Sequence, residues 1–333
     1  MNPINESYFD SKVLVAGAGG FIGGWLVNDL LRQGYQKSVA VDMKPIEEWH
    51  QIFDEVENIV LNLNSIENSM SVVKNSRLVY NLAADMGGMG FIENNKADCM
   101  LSVLINTNLL IASKHFEVEK YFFSSSACVY NAQKQKDPMN KGLSEQDAYP
   151  AEPEDGYGWE KLFSERMCRH FTEDFSLQTR VARYHNVYGP KGTYEGGREK
   201  APAAICRKIA LAKITGDYDI EIWGDGQQSR SFTYITDTIK GTQLIMHSNY
   251  SDPLNLGSDE LVTINDLVDL VEEIAGIKVK RHYNLTAPKG VRGRNSDNTL
   301  IESKIKWKPT YKLNQGIEQT YKWIYDDIRK QTN

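Results

Sequence analysis

The 333-residue chain has no long run of basic residues, and its 38 Lys plus Arg are outnumbered by 44 Asp plus Glu, for a net charge of -6. Nucleic acid, which needs a concentrated positive surface, is not an expected partner. Cysteine is scarce: Cys99, Cys128, Cys168 and Cys206 are widely spaced, form no Cys-x-x-Cys metal pattern and follow no secretory signal. A reducing, cytoplasmic setting without a metal site is therefore expected. Long hydrophobic runs are missing too. The longest uncharged apolar stretch, 99–113, is too short to span a bilayer, contains Asn106 and Asn108, and reads as a buried helix. Internal repeats, low-complexity segments and long linkers are also absent. What remains is an ordinary globular composition, 41% hydrophobic and 25% charged, long enough for one large α/β domain and a smaller lobe.

The first element expected is a strand over 12–16, running into Gly17-Ala-Gly-Gly-Phe-Ile-Gly23 and an amphipathic helix through Leu26, Leu30 and Leu31. Strand, glycine turn and helix together place a phosphate at a helix N-terminus. Glycines at 17, 20 and 23 are needed because a Cβ would block the tight turn, the approach of a pyrophosphate or the helix-to-strand contact. A second strand, 38–42, ends in Asp42. A carboxylate there accepts hydrogen bonds from ribose hydroxyls and repels a 2′-phosphate, which favours NAD over NADP, with Lys44 as the one nearby cation arguing the other way.

Further strands are expected at 59–63, 78–83 and 121–125, separated by helical stretches. That alternation predicts a doubly wound parallel sheet of Rossmann type, with ligands at the carboxyl ends of the strands. After the fourth strand, the loop Ala84-Asp-Met-Gly-Gly-Met-Gly90 has little side-chain bulk. It reads equally as a flexible turn or as a place where backbone amides approach a ligand.

Tyr157 and Lys161 stand four residues apart in Asp155-Gly-Tyr-Gly-Trp-Glu-Lys161, and Leu162, Met167 and Phe171 continue a helical pattern. Both side chains then share one helix face. A phenol, with a pKa of roughly 10, serves as a base near neutrality only when a fixed positive charge stabilises the phenolate, and Lys161 is placed to supply it. Ser124-Ser-Ser-Ala-Cys-Val-Tyr130 follows the fifth strand.

With Ser126 at that strand end, the set resembles the Ser/Tyr/Lys constellation of the extended short-chain dehydrogenase/reductases, which act on nucleotide sugars. The resemblance covers nearly the whole chain. It implies that Ser126 polarises a substrate oxygen, Tyr157 exchanges its proton, and Lys161 binds the nicotinamide ribose while lowering the tyrosine pKa. It also implies NAD contacts from Gly17, Gly20, Phe21, Ile22, Gly23, Asp42, Asn62, Leu82 and Ala83. Asn62 departs from the aspartate common at that position.

Longer motifs narrow the resemblance to the GDP-mannose 3,5-epimerases: Asp85-Met-Gly-Gly-Met-Gly90, Ser-Ser-Ala-Cys128, Arg183-Tyr-His-Asn-Val-Tyr-Gly-Pro190, 192–204, Trp223-Gly-Asp-Gly226, Gln228-Ser-Arg-Ser-Phe232 and 290–297. Carried over residue by residue, this makes Cys128 and Lys200 the epimerising acid/base pair. Gly87, Ser126, Ala127, Asn186, Glu199, Lys208, Gln228, Arg230 and Arg294 join them as substrate contacts, the two arginines facing the pyrophosphate. Asn131 and Ala132 replace a Pro-Glu pair, and Tyr184 replaces a phenylalanine. Protons at carbons 3 and 5 of a hexose become removable once carbon 4 is a ketone, and inversion needs one acid/base group on each ring face. Cationic neighbours such as Lys200 are expected to draw the Cys128 thiol towards thiolate.

The resemblance implies a Rossmann domain over 1–187 with parts of 235–260, and an interleaved α/β sugar-nucleotide lobe from 188–234 and 261–333. In the tail, the pattern predicts a helix over 264–275, a strand near 279–283 and a last helix near 313–329. A homodimer is expected through the helix around 101–113 and the helix carrying Tyr157. A 4-epimerase or 4,6-dehydratase would share the cofactor motifs without needing both Cys128 and Lys200. A non-catalytic dinucleotide sensor would lose Tyr157 or Lys161.

Overall fold

Alternation with a period of two organises the large sheet. In β1 (Lys12–Ala16), Val13 and Val15 face one hydrophobic layer while Leu14 and Ala16 face the other. Successive strands repeat this, with Tyr80 and Phe122 on the first side and Val79, Tyr121 and Phe123 on the second. A sheet buried on both faces has to be covered by helices, which is the condition for parallel strands. The computed structural model, describing residues 8–139 and 141–332, has such a sheet. It runs β3-β2-β1-β4-β5-β6 and ends in the short strand Leu254–Leu256, seven strands in all. Here β2 is Lys37–Asp42, β3 Glu57–Val60, β4 Ser76–Asn81, β5 Lys120–Ser126 and β6 Gln178–Tyr184, every pair parallel. Strand order reverses between β1 and β4, and that switch point opens the crevice at their carboxyl ends.

Helix α1 (Phe21–Arg32) packs with the helix Ile235–His247 on one side, and α2 (Ile66–Val73), α4 (Lys96–His115) and α5 (Tyr157–Phe175) cover the other. A short α3, Met89–Asn94, precedes α4. Each fully buried aliphatic or aromatic side chain between these layers contributes about 1.5–3 kcal/mol of burial free energy.

The smaller lobe is woven through the larger. Strands Leu261–Thr263, Ser229–Ser231 and Gly293–Arg294 form a three-stranded sheet, and Asp219–Trp223 pairs with Lys280–Asn284. Helix α6 (Ala201–Thr215) packs against Ile264–Ala275 and Leu313–Thr332. The helix Ile264–Ala275 starts where a capping box predicts: Asp266 N–H donates to Thr263 Oγ1 at 3.0 Å and Asp266 Oδ2 accepts from Thr263 N–H at 3.1 Å. It stops at Gly276 in the left-handed region.

Two expectations need correction. The strand expected at 59–63 is Glu57–Val60. At a sheet edge little burial is required, so register with Val39–Asp42 decides the span instead of the apolar run. The stretch 99–113 is helical but not buried all round. Cys99, Leu109 and Leu110 face inward, whereas Met100, Leu101, Leu104 and Ile111 are exposed, beside exposed Trp159 and Phe163 of α5. No helix among the described residues is long and apolar enough to cross a membrane.

Candidate active site

The glycine turn is held under β1 and β2 by Gly17 and Ala18 N–H groups donating to the Val41 carbonyl at 2.8 and 3.1 Å. Gly17 has a φ of +83° and lies so close to β4 that a Cβ would stand 2.7 Å from the Ala83 nitrogen. A Cβ on Gly23 would fall 2.1 Å from the Gly17 carbonyl. At Gly20 the only atom within 4 Å is that carbonyl, at 3.2 Å, so its outer side is clear just where α1 begins. The unpaired amides of the first turn, including those of Phe21 and Ile22, offer an anion site there. Asp42 Oδ1 accepts from Lys44 N–H at 3.1 Å, and the Lys44 ammonium donates to the Gly19 carbonyl at 2.9 Å. That cation is thus tied to the turn. Leu82 and Ala83 line the end of β4, while Asn62 is exposed, its side-chain oxygen accepting from Asn64 N–H.

Tyr157 is the first residue of α5 and Lys161 lies one turn on, both buried. Lys161 Nζ is 5.5 Å from the Tyr157 ring centre, 4.7 Å from that of Phe123 and 3.5 Å from Glu160 Oε2. Lysine was expected to hold the phenol pKa down. Instead, burial followed by the charges of Cys128 and Glu160 pushes Tyr157 well above its ordinary value, opposed by the neighbouring Ser126 hydroxyl. The Lys161 charge is shared with Glu160, whose own carboxyl is raised by burial.

Cys128 occupies the turn Ala127–Val129 directly after β5, where its N–H donates to Ser126 Oγ at 3.2 Å. Arg294 Nη1 reaches its sulfur at 3.5 Å, while the rest of that guanidinium binds Gln135 Oε1 at 2.7 Å and Glu154 Oε2 at 3.3 Å. The thiol is not drawn towards thiolate as expected. Burial and the Glu154 carboxylate push it up to about 11, outweighing Arg294. Lys200, at the N-terminus of α6, faces the same field: burial lowers its pKa, Cys128 and Glu154 raise it and Arg294 lowers it.

A strap over 198–200 crosses to the loop after β4. The Arg198 guanidinium binds Asp85 Oδ1 at 2.6 Å and the Met86 carbonyl at 3.2 Å, and stacks 3.7 Å over the Phe91 ring. Gly88 N–H donates to the Arg198 carbonyl at 3.0 Å, and a Cβ at Gly88 would lie 2.4 Å from the Glu199 carbonyl. The glycine-rich loop therefore serves close backbone approach, with Gly87 also packed on Arg198.

Ser126, Ala127, Cys128, Tyr157, Lys161, Lys200 and Arg294 are thus brought together, with Gly87 against Arg198 and Glu199 against Gly88. Arg230 is buried next to this group, but its guanidinium is spent on the carbonyls of Ser229 and Val291, at 2.7 and 2.6 Å. Burial and Arg294 lower its pKa to about 9. Both guanidinium groups are engaged inside the protein, Arg294 with Cys128, Gln135 and Glu154 and Arg230 with backbone carbonyls. Asn186, at φ +42°, donates to the Ser231 carbonyl, and Gln228 to the Trp223 carbonyl. Lys208 binds the Glu221 carbonyl at 2.5 Å, apart from the Cys128 group.

Residues 13–257 match the family model described as the NAD dependent epimerase/dehydratase family. GDP-mannose 3,5-epimerase 1 of Oryza sativa subsp. indica is 43% identical over 98% of this chain and 85% of its own. The chain belongs to the NAD dependent epimerase/dehydratase family. GDP-mannose 3,5-epimerase of Arabidopsis thaliana is 41% identical over 98% of this chain and 86% of its own. Among solved structures, UDP-glucuronic acid 4-epimerase from Bacillus cereus, in complex with UDP-glucuronic acid and NAD, superposes with a TM-score of 0.80 at 26% identity, covering 97% of this chain and all of that one.

The family's cofactor fits the residues present. Asp42 at the end of β2, the clear space at Gly20 after β1 and the Tyr157/Lys161 turn beside β5 follow one another along the carboxyl-end edge of the sheet, and would hold a ribose, the pyrophosphate and the nicotinamide ribose in that order. Several residues of the site were missed in the sequence. Glu154 stood only three positions before Tyr157, and Glu160 directly before Lys161. Arg198 lay inside the 192–204 motif. Gln135 carried no sequence signal, since its role depends on a contact with Arg294 across the fold.

Proposed function

We propose that this protein epimerises a GDP-hexose, GDP-mannose at carbons 3 and 5, giving GDP-L-galactose and GDP-L-gulose. The observation that carries this reading is the convergence of Cys128 and Lys200 on one electrostatic field, set by Arg294 and Glu154, beside Tyr157. The two rice and Arabidopsis relatives, similar over almost the whole chain, point to the same substrate.

When bound, NAD supplies the transient oxidation of carbon 4 and its later re-reduction. Tyr157 accepts and returns the hydroxyl proton at that carbon, the Lys161 ammonium 5.5 Å from its ring countering the burial that disfavours the phenolate, and Ser126 hydrogen-bonds the same oxygen. With carbon 4 a ketone, the protons at carbons 3 and 5 become acidic enough for a side chain to move. Cys128 and Lys200 act on opposite faces of the ring, one withdrawing a proton and the other delivering one. Burial of Cys128, Tyr157 and Arg294 limits water around the reacting carbons, which protects the enolate from side reactions.

The test is to follow each sugar proton by NMR while the protein acts on GDP-mannose in deuterated water. Deuterium at carbons 3 and 5 with the carbon 4 hydrogen retained supports the full reading. Label at carbon 5 alone restricts it to a gulose-forming epimerase, and no exchange overturns it.

The chain is further read as a cytoplasmic homodimer. Unpaired, buried cysteines suit a reducing compartment. The exposed Met100, Leu101 and Leu104 of α4 and Trp159 and Phe163 of α5 form adjoining apolar faces suited to a two-fold interface. Sedimentation of Leu101→Glu as a monomer beside a dimeric parent supports the interface; an unchanged mass sinks it. Localisation of the tagged protein by cell fractionation tests the compartment.

A further inference from the structure

The mechanism leaves one buried carboxylate beside the site without a role. Glu160 and Lys161 are neighbours on α5, both almost fully enclosed, and their charged ends meet with Oε2 3.5 Å from Nζ. Glu160 Oε1 accepts from the Ser164 hydroxyl, one turn on, at 2.9 Å, whereas Oε2 has no hydrogen-bond partner. The Lys161 ammonium also stands 4.7 Å from the centre of the Phe123 ring and 5.5 Å from that of Tyr157, surroundings that suit a cation. Among the described residues this is the only ion pair that Lys161 makes. A positive and a negative charge are therefore held together, out of solvent, at the nicotinamide end of the site.

We infer that Glu160 is a positioning residue for Lys161 that holds the ammonium and cancels its charge, so that the site takes the oxidised, cationic nicotinamide in preference to the reduced, neutral one. This rests on the reading of the Tyr157/Lys161 turn as the place of the nicotinamide ribose, and not on which sugar is bound. Two cations side by side in a buried site repel strongly, because little water screens them. Lys161 alone would disfavour the oxidised ring, and a carboxylate on the ammonium removes that penalty. Lys161 and the Ser164 hydroxyl favour the ionised carboxylate against its burial. The other titratable groups near Glu160 are Cys99 of α4, Tyr121 of β5 and Tyr157, and burial keeps all three protonated at neutral pH. None of them is a counter-charge, which leaves Glu160 to balance the lysine.

The preference matters because the reaction gives back what it takes. Oxidising carbon 4 breaks its C–H and O–H bonds: the hydride goes to the nicotinamide ring, which loses its positive charge, and the hydroxyl proton goes to Tyr157. Re-reduction reverses both transfers and restores the cation. A site that favours the cation favours return of the hydride. The enzyme is then left with oxidised cofactor, ready for the next sugar, instead of being stranded with reduced cofactor after a keto sugar escapes.

The experiment dialyses the full-length, cofactor-loaded protein against mixtures of NAD and its reduced form until the bound composition is constant, then releases the bound nucleotides and quantifies them by chromatography. Glu160→Gln removes the charge and keeps the shape. It is expected to shift the bound ratio towards the reduced form by about tenfold at a fixed mixture, equivalent to about 1.4 kcal/mol. Glu160→Asp keeps the charge and stays closer to the parent than Gln does. The double variant Glu160→Gln/Lys161→Met removes both charges and is expected to return near the parent ratio. A general loosening of the site weakens both forms alike, so an unchanged ratio in Glu160→Gln overturns the proposal. A double variant shifted towards the oxidised form overturns it too, since the Lys161 charge was then never cancelled; this arm stands even where Glu160→Gln alone does not fold. No sugar is present, so the two readings fail separately. A shifted ratio in a protein that exchanges no GDP-mannose protons leaves the Glu160 pairing standing and removes the substrate reading. Exchange with an unmoved ratio does the reverse.

Discussion

Arg183 grips Glu165 with two hydrogen bonds, 2.9 Å from Nε and 2.7 Å from Nη2, inside the protein directly behind the end of β5. Arg183 is the register partner of Ser125, whose hydroxyl also donates to Glu165 at 2.5 Å. The pair therefore backs the strand end that presents Ser126 and Cys128. Removing one member of a buried pair leaves an uncompensated charge, so Glu165→Ala is expected to cost about 3–5 kcal/mol. Urea unfolding checks this, and a paired Arg183→Met/Glu165→Leu replacement should lose less than the single change.

The strap behaves differently because its clasp is half exposed. The Arg198–Asp85 pair contributes no more than about 1 kcal/mol to stability, yet it positions the backbone leading to Lys200. Arg198→Ala should leave the melting temperature within a few degrees of the parent and lower kcat on the order of tenfold to a hundredfold, since small misplacements of a reacting group are expensive. Steady-state kinetics and calorimetry separate the two effects. Partial recovery in the swapped pair Asp85→Arg/Arg198→Asp would assign the loss to the clasp; a large drop in melting temperature would assign it to folding.

Cys128→Ser and Tyr157→Phe divide the mechanism at carbon 4. The serine variant keeps NAD content and carbon 4 oxidation but loses exchange at carbons 3 and 5 by about a hundredfold to ten-thousandfold, the usual worth of a general acid or base. Tyr157→Phe should stop oxidation and all exchange that depends on it. Absorbance at the reduced cofactor's band, read alongside proton exchange, tells the two apart. Full exchange in Cys128→Ser would remove the thiol from the chemistry.

Much of this was legible because it is local. Val13 and Val15 against Leu14 and Ala16 give the sheet its two faces, the 17–23 glycines mark the first crossover, and the four-residue step from Tyr157 to Lys161 needs only helix geometry. Spans failed where tertiary pairing outweighs local pattern, as at the edge strand Glu57–Val60. Charge states failed for a related reason. The sequence shows that Lys200 and Cys128 belong together, but the sign of the thiol's shift depends on how deeply it is buried and on Glu154, and its neighbour Arg294 comes from a strand far along the chain. Motif matching also names a residue without saying what it holds: only the fold shows that the terminal nitrogens of Arg230 donate to the carbonyls of Ser229, Lys289 and Val291.

His185 gives the fold a pH dependence of known sign. It is fully buried between β6 and the strand Leu254–Leu256, with Nε2 donating to Asn255 Oδ1 at 2.9 Å and Nδ1 without a hydrogen-bond partner. Burial, helped by Arg294 and Arg183, holds its pKa down to about 3. In the unfolded chain the imidazole titrates near 6.5. Between those two values the unfolded state binds a proton that the folded state refuses, so stability from this group is complete above about pH 6.5 and drains away as pH falls, at about 1.4 kcal/mol per pH unit once well below 6.5. His247, lowered to about 4 by burial, adds a second contribution of the same sign. Raised carboxyls such as Glu145 and Asp29 act in the opposite direction, so the difference between parent and variant is the informative quantity. His185→Gln keeps a donor towards Asn255 and does not titrate. Urea unfolding at pH 5.5 and 4.5 should show the variant losing about 1.4 kcal/mol less than the parent over that unit. Equal losses would mean that His185 is already protonated in the folded protein.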